Sequence, residues 1–375
     1  MNLSCLKENL KEHLDNAIRI VKYNSTLPIL NNFLLSTEKG MLKISSTDLE
    51  VGFVSKVSSK VLKDGSITVP AQLLSQFVNN LPNKTLEMEV KENKLYLNCD
   101  NIKAFINGLS ADDFPIIPKI KNTSIMTINS LILKEALTSV INSAASSDSR
   151  PEISSILIKI DPGQLKFVAT DSFRLAHKTL ILSEELKDKL KINDFKSQNI
   201  ILPLRTAGEI LRILGDKNSE VTINVDQNQI SFSFGTTYVI SRLVSGNYPD
   251  YEAIIPKTFE TKCYISKNSL EEAIKSVGCF SSKLNDIGLK TNSDKSQIEI
   301  HSTGNAYGNN QAKINSEIKG KDVNIVFNWR YVLDGIKNIN DEDLVLELNG
   351  DQKPAAIKSA RSGDFFYILM PIRNI

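Results

Sequence analysis

The stretch ATDSFRLAHK, residues 169–178, brings an acid, two hydroxyls and a guanidinium within five positions: Thr170, Asp171, Ser172 and Arg174. A carboxylate beside a guanidinium could serve acid–base catalysis, but that chemistry needs a partner histidine, lysine or second carboxylate. The sequence offers no recognisable constellation of this kind. An aspartate or threonine at a strand end also accepts backbone hydrogen bonds in a turn. We therefore interpret Asp171 as a structural turn residue rather than a catalytic acid.

Motifs of other common enzyme classes are missing from the sequence. It contains no G-x-x-x-x-G-K-[ST] phosphate loop, no G-x-G-x-x-G and no G-x-S-x-G nucleophile elbow. The cysteines and histidines are too dispersed for a metal site, so no metal and no cofactor is predicted. The cysteines, whose scatter is typical of proteins in a reducing compartment, are Cys5, Cys99, Cys263 and Cys279.

Size and composition indicate an ordinary globular protein. A chain of 375 residues is too long for one core and divides into two or three domains. No apolar run approaches the roughly 20 residues that span a bilayer, and the first residues carry charges where a signal peptide is apolar. We therefore expect a cytoplasmic protein without membrane contact. The net charge of +2 predicts no strong nonspecific attraction to nucleic acid, so any DNA contact must use locally arranged charge.

The chain repeats itself three times. One block has two short apolar runs about a polar turn, and in the first two copies it ends in Thr-Asp, at Thr47 and again at Thr170, 123 positions later. The copies of this block span residues 27–53, 150–176 and 284–308. We pair Arg174 and Leu175 with Glu50 and Val51 of the first copy. The middle copy is therefore specialised at this position.

A second block follows each first block and reads as strand, helix and alternating strands. Its copies span residues 65–99, 198–234 and 322–359. Pro70, Pro203 and Asn328 stand at the predicted helix starts, where proline loses no hydrogen bond and asparagine can cap.

Each repeat also opens with a predicted amphipathic helix, over residues 6–22, 129–145 and 267–280. Asn129 and Ser266 are the expected N-caps of the last two. The sequence thus predicts an α+β protein made of three repeated β-rich domains with two helices each. We place the domains at residues 1–122, 123–250 and 251–375.

Four strings occur in a fixed order along the chain: ATDSFRLA, YPDYEAIIP, FNWRYVLDGI and YILMPIR. With them, essentially the whole sequence resembles the bacterial DNA polymerase III beta subunit family. The resemblance implies a DNA clamp fold in which two subunits close into a ring around duplex DNA without reading its sequence. It implies a non-enzymatic processivity factor that tethers the replicative polymerase. It also implies that a clamp loader and repair proteins bind the homodimer through short linear motifs.

The resemblance also carries candidate residues. The partner-peptide pocket would comprise Thr170, Arg174, Leu175, Pro249, Ile254, Asn328, Tyr331, Ile368, Leu369, Met370, Pro371, Ile372 and Arg373. The DNA-facing cations would be Arg19, Lys22, Arg150, Arg205, Arg212, Lys275, Arg330 and Lys337. The dimer interface would include Phe105, Cys279 and Phe280. Ser172, Phe173 and Ala253 depart from the family pattern, so their roles are left open.

Two alternatives stay open at the level of sequence. One is a hydrolase that uses Asp171 and Arg174 in a cleft. The other is a monomeric scaffold that binds peptides and never encircles DNA.

Overall fold

The computed structural model describes residues 1–22, 27–120, 124–147, 149–182, 198–302 and 308–373. In these residues six α-helices occur: α1 (Lys7–Ala17), α2 (Ala71–Asn79), α3 (Ser130–Ile141), α4 (Leu204–Leu214), α5 (Lys267–Gly278) and α6 (Trp329–Lys337). Each predicted repeat therefore holds two helices, as the sequence indicated.

The chain divides into two compact units, and strands are numbered here in chain order. The first unit holds the described residues from 1 to 134 and from 205 to 243. Its five-stranded sheet has the order β5-β1-β7-β8-β9. The strands are β1 (Asn2–Leu6), β5 (Lys60–Lys63), β7 (Thr85–Lys91), β8 (Lys94–Cys99) and β9 (Ile102–Asn107).

The first unit also contains an eight-stranded sheet, with the order β10-β15-β16-β17-β4-β3-β2-β6. Its strands are β2 (Asn32–Glu38), β3 (Met41–Thr47), β4 (Val51–Ser58), β6 (Ser66–Pro70), β10 (Ser124–Asn129), β15 (Glu220–Val225), β16 (Gln229–Phe234) and β17 (Thr237–Arg242). The antiparallel pairing of β4 with β17 joins a strand of the first repeat to a strand of the second.

The second unit holds the described residues from 135 to 204 and from 244 to 373. Its nine-stranded sheet has the order β14-β11-β12-β13-β26-β25-β24-β18-β22. The strands are β11 (Ser155–Asp161), β12 (Gln164–Thr170), β13 (Arg174–Ile181), β14 (Gln198–Pro203), β18 (Thr261–Ser266), β22 (Glu317–Gly320), β24 (Asp343–Leu348), β25 (Ala355–Ser359) and β26 (Phe365–Leu369). Pairing of β13 with β26 joins the second repeat to the third.

A four-stranded sheet completes the second unit, in the order β21-β20-β19-β23. Its strands are β19 (Asp286–Asn292), β20 (Gln297–Ser302), β21 (Gln311–Asn315) and β23 (Asn324–Asn328). Because sheet pairing crosses from repeat to repeat, the compact units do not coincide with the three repeats. The predicted domain bounds stay a prediction, and the one at 122/123 falls on residues outside the described ranges.

Amphipathic patterning explains why the helices pack as they do. In α5 the buried residues include Leu270, Ala273, Ile274 and Val277, which have the three-to-four spacing of one helical face. The side chain of Asn129 accepts from the Leu131 amide at 2.9 Å, so its predicted capping role is confirmed.

Ser266 stands at the N-cap of α5, as predicted, but its side chain makes no capping hydrogen bond. The predicted extent of the first helix was wrong. The first helix ends at Ala17 rather than continuing to residue 22. Ile20 and Val21 are still buried after it, so the apolar pattern that suggested a longer helix reflects packing of a turn. Within the described residues, no helix has the length and apolarity needed to cross a membrane.

Candidate functional site

The opening stretch forms a tight turn between β12 and β13. The Thr170 hydroxyl donates to the Arg174 carbonyl at 2.7 Å, and the Ser172 amide donates back to that hydroxyl at 3.1 Å. The carboxylate of Asp171 accepts from the amides of Phe173 and Arg174 at 2.9 and 3.0 Å. Ser172 has φ of 78° within this turn. Asp171 is thus a turn residue, which agrees with our interpretation of the sequence.

Arg174 is held on three sides at the start of β13. Its Nε lies 2.9 Å from Asp171 Oδ2, and its Nη1 lies 2.6 Å from Asp334 Oδ2 on α6. The guanidinium also lies over the Tyr331 ring, 4.1 Å from the centroid. Only 11% of the Arg174 side chain is exposed. Asp171 is therefore not available as the catalytic acid of a hydrolase, because the turn and this arginine already engage both of its carboxylate oxygens.

Electrostatics keep this arginine charged. Burial by itself would lower the pKa of Arg174, but neighbouring Tyr367 and the carboxylates of Asp334 and Asp171 outweigh burial and raise it. A fixed, charged and planar guanidinium is suited to orienting a bound group through directed hydrogen bonds.

The first unit contains the same turn, at the end of β3. Thr47 Oγ1 donates to the Val51 carbonyl at 2.9 Å, and Asp48 Oδ1 accepts from the amides of Glu50 and Val51 at 3.1 and 2.8 Å. Leu49 has φ of 76° here.

These bonds correct the sequence alignment by one position. The residue whose carbonyl accepts from the threonine hydroxyl is Val51 in the first unit and Arg174 in the second. Arg174 therefore corresponds to Val51, and Leu175 corresponds to Gly52. The pairing with Glu50 and Val51 was wrong by one position, since the 123-residue offset between Thr47 and Thr170 also leads to Val51 and Gly52.

The predicted pocket residues divide into buried and open groups. Leu175, Ile368 and Leu369 are at most 2% exposed, so they present no open surface to a ligand. Leu175 and Ile368 belong to a buried cluster that also holds Tyr251.

The open group borders this cluster. Ile254 is 45% exposed. Met370, Pro371 and Ile372 are partly buried, as are Asn328 and Tyr331, whereas Pro249 and Arg373 are exposed.

Phe173 is a further candidate that sequence reasoning left open. Its side chain is 62% exposed, and its carbonyl accepts from the Met370 amide at 2.9 Å. The Ile372 amide donates to the Val326 carbonyl at 2.8 Å, so the segment after β26 is tied at two points. Phe173 follows Ser172, whose positive φ belongs to the tight turn, and a serine in a sequence does not predict that turn geometry.

Asn328 caps a helix, as the sequence predicted, whereas Asp334 was not predicted to have a role. The Asn328 side chain accepts from the Arg330 amide at 3.0 Å, so its carbonyl oxygen caps α6. Asp334 was not among the predicted residues, yet it is the helix-borne partner of Arg174. No sequence signal pointed to it, because the two residues lie 160 positions apart.

All eight predicted DNA-facing cations are exposed. Arg205 contacts Asp48, Arg212 pairs with Glu209 at 2.7 Å, and Lys275 pairs with Glu271. Arg150 donates to the Ser172 hydroxyl at 3.2 Å, and Arg330 lies 5.3 Å from the centroid of the Trp329 ring. Part of this positive charge is therefore locally neutralised.

The predicted interface residues are not core residues of their own units. Phe105 on β9 is 57% exposed and lies beneath Lys94, whose Nζ is 5.5 Å from the ring centroid. Cys279 is exposed and Phe280 is partly buried just after α5. Among the described residues, no group of three or more His, Cys, Asp or Glu side chains could hold a metal ion.

Comparison with known proteins covers nearly the whole chain. Models of the N-terminal, central and C-terminal domains of the DNA polymerase III beta subunit match residues 1–118, 127–250 and 252–373. The chain is 26% identical over 379 residues to the beta sliding clamp of Synechococcus elongatus, covering 100% of this chain and 99% of that protein.

Solved structures agree with the family models. A DNA polymerase III beta subunit structure from Pseudomonas aeruginosa is 27% identical, covers both chains completely and has a TM-score of 0.92. A sliding clamp from the same organism bound to griselimycin has the same identity, coverage and TM-score. Three consecutive domain models in the order of the family, matched by a full-length fold, show that the chain belongs to the DNA polymerase III beta subunit family of bacterial sliding clamps.

Proposed function

We propose that this chain is a processivity factor: two copies close into a ring around duplex DNA and tether the replicative polymerase to it. The observation that carries the proposal is the uninterrupted match of all three clamp domain models along one chain. The protein acts by holding and not by catalysis. Its location in the cytoplasm and its use by a clamp loader and repair proteins belong to the same proposal.

The charges on the helices suit a ring that slides. A sliding tether needs attraction to phosphates without contacts to base edges. Exposed cations are spread over several helices, and partners such as Glu209 and Glu271 moderate two of them. Diffuse and partly neutralised charge favours weak binding that does not depend on DNA sequence.

Ring closure is proposed to use Phe105 on one subunit edge and Cys279 with Phe280 on the other. Among the strands that the structure describes, edge strand β9 has a sheet partner on one side only, since it ends the order of its sheet. The exposed Phe105 ring could contribute about 2–3 kcal/mol on burial in an interface. Tyr96, 6.0 Å away between ring centroids, would enlarge that apolar surface.

The surface beside Arg174, the peptide site, is proposed to bind short linear motifs of partner proteins. Ile254, Phe173 and Met370 supply apolar surface, and methionine adapts to different side chains. Arg174 cannot swing freely, because Asp171, Asp334 and the Tyr331 ring fix it. A preorganised guanidinium loses little side-chain entropy on binding. The buried residues Leu175 and Ile368 form the floor on which this surface rests.

A truncation tests the peptide site. A chain that ends at Leu369 loses Met370 and the hydrogen bonds made by the amides of Met370 and Ile372. We expect it to lose binding of a labelled Gln-x-x-Leu-Phe peptide in fluorescence anisotropy while it keeps its melting midpoint. The matched control is a chain that ends at Arg373, which keeps both bonds and is expected to bind normally.

The two truncations also separate the alternatives. Full peptide affinity in the chain that ends at Leu369 would contradict the assignment of the peptide site. A collapsed melting curve in that chain, with a normal control, would show that the C-terminal segment is needed for folding; the point substitution Met370→Ser then tests the peptide contact alone.

A further inference from the structure

A cleft lies in the first compact unit, at the turn equivalent to the one at Arg174. It encloses about 320 Å³ and is lined by residues of the turn after β3, of the segment 115–118 and of the end of β17. None of the predicted peptide-site residues contributes to it. The proposed function gives this cleft no role.

Hydrogen bonding shows that this cleft repeats the construction of the peptide site. The Arg242 amide donates to the Glu50 carbonyl at 3.0 Å, as the Met370 amide donates to the Phe173 carbonyl at 2.9 Å. In strand register, Val51 faces Ser241 as Arg174 faces Leu369. The backbone of the peptide site and of this cleft is therefore the same, and Glu50 and Arg242 occupy the positions of Phe173 and Met370.

The rim side chains have changed their chemistry between the two sites. Glu50 and Arg242 form an ion pair with an N···O distance of 3.6 Å, and their side chains are 63% and 62% exposed. Such an exposed pair is weak, roughly 0–1 kcal/mol. The rim of the peptide site is thus apolar, with Phe173 and Met370, whereas the rim of this cleft is a charged pair that opens easily.

The walls of this cleft are apolar and accessible. Ile116 is 93% exposed and Leu49 is 46% exposed, whereas Val51 and Ile240 are nearly buried beneath them. A Cβ added at Gly52 would lie only 2.8 Å from the Ile117 side chain, so glycine lets the segment at 115–118 settle onto the sheet. Val51 replaces Arg174, and the floor therefore lacks a fixed guanidinium.

The two acidic residues of this turn, Asp48 and Glu50, differ in how firmly their carboxylates are bound by other groups. Asp48 is used by the amides of Glu50 and Val51 and by Arg205. Glu50 is the ion-pair partner of Arg242, and its N···O distance of 3.6 Å is long for a salt bridge. A carboxylate brought by a ligand can therefore take Arg242 with better geometry than Glu50 does, because guanidinium and carboxylate form paired, charge-assisted hydrogen bonds.

We propose that this cleft binds a short extended segment of a partner protein that carries an aliphatic side chain and a nearby acidic side chain. The aliphatic group packs against Leu49 and Ile116, and the carboxylate pairs with Arg242 in place of Glu50. The recognition chemistry differs from that of the peptide site, so the two sites select different motifs. The inference uses the proposed peptide site as a template, but its test does not need that site to bind anything.

The test uses the full-length chain and a defined peptide set. Each peptide is a labelled hexapeptide of serine in which one position is leucine and another is aspartate, and the set covers all arrangements of these two residues. A matched set carries lysine instead of aspartate. We expect saturable binding of at least one aspartate peptide in fluorescence anisotropy and none of its lysine counterpart. Excess Gln-x-x-Leu-Phe peptide should not displace it.

Two substitutions locate the binding. Arg242→Ala should weaken the bound aspartate peptide about tenfold, the loss expected for a charge-assisted hydrogen bond. Glu50→Ala should tighten it about threefold, because the competing carboxylate is gone. Both side chains are mostly exposed, so the melting midpoint is expected to stay unchanged.

Four results would each overturn the proposal. They are the absence of saturable binding across the whole set, equal or stronger binding of the lysine peptides, displacement by the Gln-x-x-Leu-Phe peptide, and an affinity that neither substitution alters. Failure of the proposed function would instead appear as unaltered Gln-x-x-Leu-Phe binding in the C-terminal truncation, which leaves this cleft intact.

Discussion

The turns at Thr47–Val51 and Thr170–Arg174 share their backbone but not their ion pairs. In the first unit the helix supplies the base, since Arg205 of α4 contacts Asp48. In the second unit the strand supplies the base, since Arg174 pairs with Asp171, and the helix supplies the acid, Asp334. The comparison teaches that a repeated turn fixes geometry while a few side chains decide what the surface beside it can bind.

Removal of the turn aspartate should give the largest difference in stability loss between the two units. Asp171→Ala takes away the oxygen that accepts from two backbone amides, together with one partner of a guanidinium whose side chain is only 11% exposed. We expect a loss of about 4 kcal/mol in the free energy of unfolding of the second unit. Asp48→Ala should cost the first unit about 2 kcal/mol, because Arg205 is 46% exposed and returns to water.

Urea unfolding can follow the two units separately. The only tryptophan of the chain, Trp329, lies in the second unit, so its fluorescence reports on that unit. Circular dichroism follows both units. If Asp48→Ala shifts the Trp329 unfolding transition as much as Asp171→Ala does, the proposed difference between the two turn aspartates is contradicted.

The next largest difference is expected at the residue after the turn. Leu175 is fully buried, and Leu175→Ala should cost about 3 kcal/mol through the cavity that it leaves. Its counterpart change, Gly52→Ala, pushes against the Cγ2 methyl groups of Ile117 and Ile240 and should cost about 1 kcal/mol. Urea midpoints of the two variants check the order, and a larger cost at Gly52 would contradict the packing described here.

A smaller effect is expected from acid. His177 is 6% exposed and stacks on Phe366 at 4.4 Å between centroids, and burial lowers its pKa from 6.5 to about 4. As the pH falls, His177 is therefore protonated in the unfolded chain before it is protonated in the folded chain. The free energy of unfolding consequently decreases between pH 6.5 and about 4. From pH 8 to pH 5 the loss should reach about 2 kcal/mol.

The first unit provides the control for this pH effect. The position equivalent to His177 holds Val54, which is 7% exposed. His177→Val should therefore flatten the pH dependence of the Trp329 unfolding transition relative to the unchanged chain. An identical pH slope in both proteins would show that His177 does not carry the effect.

The sequence was informative wherever a local rule operates. Period and turn chemistry predicted the repeats, the six helices and the structural role of Asp171. Contacts that depend on folding were not readable, such as Arg174 with Asp334, which lie 160 positions apart. The division into compact units was also hidden, because strand patterns do not show that β4 pairs with β17 or β13 with β26.

The candidate site was predicted by resemblance more fully than by physics. Sequence reasoning could place Arg174 beside Asp171, but not the burial of Leu175 and Ile368, which follows from the packing of two repeats. The role of Phe173 was left open for a different reason. Phe173 follows Ser172 in the turn, and serine gives no sign of the positive φ found there.

Retention on circular DNA tests the central claim most directly. The chain is loaded by a clamp loader with ATP onto nicked circular plasmid, separated by gel filtration and then exposed to a nuclease that linearises the plasmid. The account predicts that the protein stays with the circle and is lost when the DNA is linear. The ring variant Phe280→Asp should not be retained at all, whereas Ile181→Asp, at a residue 82% exposed and outside the proposed interface, should behave like the unchanged chain. Protein that remains on linear DNA as firmly as on circles would contradict an encircling clamp.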